Sequence, residues 1–282
     1  MNYRETAVTF TCTGDELLGI VAAPETPGKT GVVIVVGGPQ YRVGSHRQFA
    51  LLSRALAAAG YFCLRFDHRG MGDSAGDTHD FENINDEIAV AIDTLMAQSP
   101  ELKQVVLWGL CDAASAILMY CHATQDQRVA GLVLLNPWVR SESTLARTQI
   151  KHYYGERLSS ADFWLKLFKG QLEVGKALRG LQNKVKLAKS EEELPPQGDV
   201  SFRHILPLAL RKFDGKVLLI LSGKDYTAKE FLDCATTDPS WSGVLEKSSI
   251  QRCDIALADH TFSSAAWRQQ VEQQTLECLS EL

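Results

Sequence analysis

Three side chains able to share acyl-transfer chemistry stand at or just after the ends of apolar runs: Cys111 after QVVLWGL, Asp225 after KVLLIL and a Ser-Gly-Lys turn, and His260 closing IQRCDIALADH. A thiolate is a strong nucleophile, an imidazole can take and return its proton, and a carboxylate can fix the orientation of that imidazole. Cys111 sits where an apolar run gives way to a helical pattern, with Gly109 two residues before it and Ala113 two residues after. Small residues on both sides let a strand and a helix approach around a tight corner. The helix N-terminus beyond that corner favours a negative charge on the thiol. The six other cysteines (Cys12, Cys63, Cys121, Cys234, Cys253 and Cys278) have no such setting and no metal-type spacing. Asp254 and Asp259 compete with Asp225 for the acid. Asp259 is a poor rival because neighbours at a strand end point to opposite faces.

A nucleophile of this kind needs donors for the oxyanion that forms on its substrate. The backbone N–H of Asp112, first in the following helix, is one. The second is expected from the loop after GVVIVVGG, where Pro39 has no N–H; Gly38 or Gln40 must then serve, and Gln40 is the choice. The same loop carries Tyr41 and Arg42. With Gly38, and with Trp138 just after VAGLVLLN, they form the expected substrate-binding set. Arg42 and Arg47 have an alternative duty, binding carboxylates of neighbouring loops. The Asp112 side chain is unusual, a carboxylate beside a group that must itself become negative. It is expected to play a structural part at the helix N-terminus, with lining of the pocket as the alternative. In DHRG, Asp67 and Arg69 are expected to form an ion pair.

These residues need a scaffold that brings strand ends together. TAVTFTC and ELLGIVAAP, separated by TGD, predict an antiparallel opening pair. From GVVIVVGG onward, continuous β-branched runs alternate with helical patterns, through HRQFALLSRALAAAG, YFCLRFD, ENINDEIAVAIDTLMAQ, QVVLWGL, AASAILMYCHA and VAGLVLLN. That alternation means a mostly parallel central sheet with helices on both faces. It stops near Val139 and resumes at GKVLLILSGKD. The chain therefore divides into a core of residues 1–139 and 211–282 and a helical cap insertion over residues 140–210, which contains aromatic and basic helical patterns and an acidic, proline-bearing SEEELPPQGD. In such sheets ligands sit beyond the carboxyl ends of the strands, where all the residues above lie.

The order nucleophile, acid, base is the order of the α/β-hydrolases, and nearly the whole chain resembles that superfamily. FDHRGMGDSAGD is similar to its Asp-x-Arg-Gly-x-Gly-x-Ser loop, WGLCDAASA resembles its nucleophile elbow with cysteine in the nucleophile place, and LADHTFS resembles its catalytic-histidine segment. Ala113 replaces the usual second glycine of the elbow. More narrowly, GGPQYRVGSHRQF, GLCDAASA and DHTFS together resemble the first of two hydrolase types encoded with exosortase A systems. Those systems accompany exopolysaccharide production and surface-protein sorting in Gram-negative bacteria. The resemblance implies an α/β-hydrolase fold and a bacterial setting linked to that machinery.

The reading that follows is hydrolysis of an ester or thioester of a small acyl substrate through Cys111, His260 and Asp225, with no cofactor and no metal. Its alternatives are an acyltransferase with the same triad, an aminopeptidase-like peptidase and an inert binding protein. Asp112 as an esterifying carboxylate would shift the elbow by one residue and take Gly109 from its place. The net charge of −5 gives no reason to expect nucleic acid or an anionic membrane as partner. The longest apolar run is far short of the ~20 residues a membrane span needs. MNYRETAVTFTC lacks a basic stretch followed by an apolar one, so no signal peptide is expected. With seven dispersed cysteines, this predicts reduced thiols and a cytoplasmic location.

Overall fold

The computed structural model describes residues 3–38, 40–140 and 201–282. The antiparallel opening is a hairpin of β1 (Tyr3–Cys12) and β2 (Asp15–Pro24), turning at Thr13 and Gly14, both with positive φ. The six strands that follow are β3 (Thr30–Val35), β4 (Phe62–Phe66), β5 (Gln104–Leu110), β6 (Val129–Leu135), β7 (Lys216–Ser222) and β8 (Ile250–Ile255). They join the hairpin in one eight-stranded sheet of order β1-β2-β4-β3-β5-β6-β7-β8. β2 pairs antiparallel with β1 and with β4, and every other neighbour is parallel. The fold is that of an α/β-hydrolase.

Parallel pairing follows from composition. Every residue of β3 and β4 is buried, as their continuous Val, Ile, Leu and Phe runs require of strands covered on both faces. Alternate side chains feed two cores. Val33, Val35, Val105 and Leu107 pack with α2 (Asn85–Met96), α3 (Asp112–Thr124), α4 (Phe202–Lys212) and α5 (Tyr226–Thr237). Val32, Ile34, Val106 and Trp108 pack on the other face with α1 (Gln48–Ala58) and α6 (Ala265–Ser280).

The chain leaves β3 toward β4 on one side, while β5 lies on the other side of β3. The loop after β3 and the turn after β5 therefore flank the crevice where the winding reverses, the usual ligand position in such sheets. The expected cap over residues 140–210 lies mostly outside the described residues. Its last part opens α4, whose Leu206, Ala209 and Leu210 belong to the core that also holds α3. Among the described residues no helix is long and apolar enough to cross a membrane.

Candidate active site

Cys111 occupies the single residue between β5 and α3, with φ 65° and ψ −125°. A side chain at positive φ costs about 1–3 kcal/mol, so the surrounding structure must hold it there. Cys111 N–H donates to Leu135 O at 2.8 Å, and Cys111 O accepts from Ala114 N at 3.1 Å and Trp138 N at 3.2 Å. Gly109 makes the corner sterically feasible. A Cβ there would lie 2.7 Å from Ile117 Cδ1 and 2.9 Å from the Ala113 carbonyl carbon. Cys111 and Cys253 are part-exposed, and the other five cysteines are buried. Burial pushes the thiols of Cys63 and Cys121 up to about 12.

Asp225 is buried at the N-cap of α5, where Oδ1 accepts from Thr227 N at 3.2 Å and Oδ2 from Ala228 N at 3.1 Å. The same Oδ2 lies 2.9 Å from His260 Nδ1. The cap thus fixes the carboxylate before it meets the imidazole. With Nδ1 on Asp225, the other ring nitrogen is left over, and the Cys111 side chain lies near enough to act on the imidazole. Asp259 turns away and accepts from Ser263 N at 2.9 Å and from Ser263 Oγ. The structure therefore brings Cys111, His260 and Asp225 together.

Burial by itself would lower the His260 imidazole, but the hydrogen bonds and charges of Asp225 and Cys111 outweigh it and raise it to about 10. A raised histidine contributes stability that is complete below its unfolded value near 6.5 and disappears as pH rises through about 10. His260 should accordingly stay protonated through neutral pH in imidazole NMR spectra. Cys111→Ala and Asp225→Asn should each bring its titration down toward the ordinary range. An imidazole titrating near its ordinary value in the wild type would contradict the arrangement.

Asn136 went without a role in the sequence reading. It is fully buried at the end of β6 with φ 44°. Its Nδ2 donates to Ser222 Oγ at 2.8 Å and His260 O at 3.1 Å, and its Oδ1 accepts from Ser222 N at 2.9 Å. It ties the ends of β6 and β7 to the histidine loop. Its place in NPW directly after an apolar strand was the available signal, since Asn tolerates positive φ at such ends.

Of the two duties expected of Arg42, the structure shows carboxylate binding and not a charge presented to substrate: its guanidinium pairs with Asp67 and, at 2.7 Å, with Asp73, and its N–H donates to Asp67 at 2.6 Å. Asp67 accordingly does not pair with Arg69, which bonds Glu87 at 2.7 Å. A fully buried carboxylate needs more than one donor, and the loop after β3 reaches Asp67 with both backbone and side chain. Tyr41 is exposed, its ring 6.0 Å from Arg42 Cζ. The Gln40 side chain accepts from Ser45 N at 3.1 Å. Trp138 is half-buried, with Arg140 stacked 4.4 Å over its ring.

The Asp112 side chain folds back over the loop after β3. Oδ2 accepts from Gly38 N at 2.8 Å and Oδ1 from Ala113 N at 3.0 Å. Gly37 leaves room for it, since a Cβ there would stand 2.1 Å from Asp112 Oδ1. Burial raises the carboxyl above its ordinary value, against the opposing pull of the N–H groups of Gly38, Ala113 and Asp112 itself. The carboxylate thus gathers backbone donors beside the nucleophile position. Among the described residues no group of three or more His, Cys, Asp or Glu is arranged to hold a metal ion.

A family model described as serine aminopeptidase, S33, matches residues 29–195. No curated protein matches the sequence. Among solved structures, an esterase of Pyrococcus furiosus aligns with a TM-score of 0.66 and 14% identity over 99% of this chain and 91% of its own. A thermostable carboxyl esterase of Bacillus coagulans aligns at 0.63 and 14% identity, over 98% of each chain. The α/β-hydrolase GrgF of a Penicillium species gives 0.62 and 16%, over 99% and 98%. These likenesses concern the fold. The family match covers more than half of the chain and includes the elbow, and by it this protein belongs to the S33 serine aminopeptidase family of α/β-hydrolases.

Proposed function

We propose that the protein hydrolyses an ester or thioester of a small acyl substrate, with Cys111 as nucleophile, His260 as general base and acid, and Asp225 as the group that orients His260. The observation that carries this reading is the continuous contact from Asp225 Oδ2 to His260 Nδ1 at 2.9 Å and on to Cys111, at a positive-φ strand-to-helix corner.

The Cys111 thiolate adds to the substrate carbonyl carbon, and the C=O electron pair moves to oxygen. Collapse of the tetrahedral intermediate expels the alkoxide or thiolate, which takes a proton from His260 and leaves an acyl thioester on Cys111. Water then adds to the thioester while His260 takes its proton. The second intermediate expels the Cys111 thiolate and releases the carboxylic acid. Asp225 stabilises the imidazolium throughout.

The N–H groups of Asp112 and Gln40 are assigned to the oxyanion, and Gly38, Tyr41 and Trp138 to substrate contact. A thiolate leaves more readily than an amine from the first intermediate, which favours esters and thioesters over peptides. The exosortase-like segments GGPQYRVGSHRQF, GLCDAASA and DHTFS support a bacterial, cytoplasmic setting linked to exopolysaccharide production.

Mixing the protein with p-nitrophenyl acetate and quenching in acid within the first turnovers tests the reading. The intact mass should rise by one acetyl group, located by peptide mapping on the peptide containing Cys111. Release of nitrophenol with the acetyl group elsewhere, or with no covalent adduct, would exclude the proposed intermediate.

A further inference from the structure

His260 and Cys111 are carried by strands that do not touch. β5 leads into Cys111 and β8 leads toward His260, with β6 and β7 between them. At roughly 4.8 Å per strand the two strand ends stand about 14 Å apart. Among the described residues β8 is an edge strand, paired with β7 alone. The position of the elbow has to be carried across two strands to reach the loop that bears His260.

The end of β6 spans that gap. Leu135 O accepts from Cys111 N at 2.8 Å, and Trp138 N donates to Cys111 O at 3.2 Å, so the elbow is held on both sides of Asn136. Asn136 N donates to Ile220 O at 3.1 Å. Its side chain continues past the end of β7: Oδ1 takes the Ser222 N–H, and Nδ2 donates to Ser222 Oγ and to His260 O. A backbone N–H can only donate and a backbone carbonyl can only accept, so the amide can face only this way.

The backbone alone does not call for asparagine. Asn136 has φ 44°, which glycine meets without steric cost. Aspartate would take the Ser222 N–H but turn a second oxygen toward His260 O. The side-chain amide serves both neighbours. The acid turn is fastened to the His260 loop by other bonds, from Gly223 N to Ile255 O at 3.0 Å and from Lys224 N to Ala258 O at 2.9 Å. Those bonds join His260 to Asp225. The Asn136 amide joins that pair back to the strand end that holds Cys111.

We propose that Asn136 is a positioning residue, holding the His260 backbone at the distance from Cys111 at which imidazole and thiol exchange a proton. This role rests on the reading of Cys111, His260 and Asp225 as the reacting set.

Asn136→Gly in the full chain tests it, because glycine removes the side-chain bonds and keeps the backbone angle. Iodoacetamide labelling of Cys111 is followed against pH. At neutral pH it should slow by at least about tenfold, since the imidazolium that favours the thiolate is no longer held beside it. Well above the ordinary thiol value near 8.5 the glycine and wild-type proteins should label alike, because the thiol then ionises unaided. A merely unfolded site would not converge in this way. The kcat/KM for p-nitrophenyl acetate should fall about 10–100-fold, the scale of a small misplacement of a catalytic group. Ser222→Ala is the control. It takes one acceptor from Nδ2 but leaves the bonds to Ser222 N and His260 O, so it should lower the melting temperature and keep the labelling profile. A glycine protein with the wild-type profile, or an equal displacement of that profile by Ser222→Ala, would overturn the role. Should the glycine protein not fold, the wild type decides by NMR. The Asn136 side-chain amide signals should follow the His260 imidazole through its titration with one midpoint, and signals flat across it would overturn the role as well. Wild-type Cys111 labelling no faster than that of Cys253 would instead remove the hydrolase reading itself.

Discussion

Cys111→Ala should lower p-nitrophenyl acetate hydrolysis by at least ~10³-fold, the scale on which removal of a triad nucleophile acts, and leave the folded protein intact. Alanine keeps the Cβ that the corner already accommodates, and the backbone bonds to Leu135, Ala114 and Trp138 do not involve the thiol. Near-ultraviolet dichroism and the melting curve should therefore stay close to wild type while kcat collapses. Alkylation supplies an independent readout. Iodoacetamide should label Cys111 first, because five of the seven cysteines are buried and burial raises the thiol of Cys253, the other part-exposed one. His260→Ala should slow that labelling, since it removes the imidazolium that favours the thiolate. If the alanine protein keeps wild-type turnover, Cys111 is not the nucleophile and the elbow serves only as a corner.

The features legible in the sequence are those set by local chemistry. β3, β5, β6 and β7 come from continuous apolar runs whose length and β-branching leave little choice but a strand covered on both faces. The elbow is legible because Gly109 and Ala113 are both small and bracket a polar residue between a strand and a helix. Asp225 could be found in two ways, from its position after β7 and from its suitability as N-cap of the helix that begins at Tyr226.

Pairings between loops were legible only in part: that Arg42 could bind a neighbouring loop's carboxylate was readable, which carboxylate was not. Arg69 is close to Asp67 in sequence, yet the carboxylate is satisfied by Arg42 from the loop after β3, because the parallel crossover brings those two loops side by side. Composition shows that an aspartate and two arginines share a neighbourhood. Only the sheet order decides which of them meet. Asn136 was missed for the same reason: its value lies in bridging Ser222 and His260, which are brought together by strand pairing. The direction of Asp112 depends on the missing Cβ at Gly37 across the crevice. No local pattern around WGLCDAASA encodes that space.

That direction leads to the second large effect: Asp112→Ala should raise kcat for ester hydrolysis by about 10–100-fold. The N–H groups beside the elbow are where a developing oxyanion must be received, and one such donor is worth ~10²–10³ in kcat. In the resting structure the Asp112 carboxylate already holds the Gly38 and Ala113 N–H groups at 2.8 and 3.0 Å. While ionised it also opposes the second negative charge that the reaction creates nearby. Alanine removes the charge and keeps the backbone N–H of residue 112, the assigned oxyanion donor, which its own carboxylate otherwise draws on, so that donor is free before substrate arrives. Asp112→Asn separates the two contributions: it removes the charge, yet its amide oxygen can still accept from Gly38, and its gain should be smaller than that of alanine. Iodoacetamide labelling of Cys111 completes the comparison, because it reports thiolate formation without an oxyanion. Labelling should quicken similarly in both variants, whereas ester turnover should favour alanine. A fall in kcat in both variants, with Cys111 still labelled at the wild-type rate, would show instead that the carboxylate supports the reaction from the position it occupies.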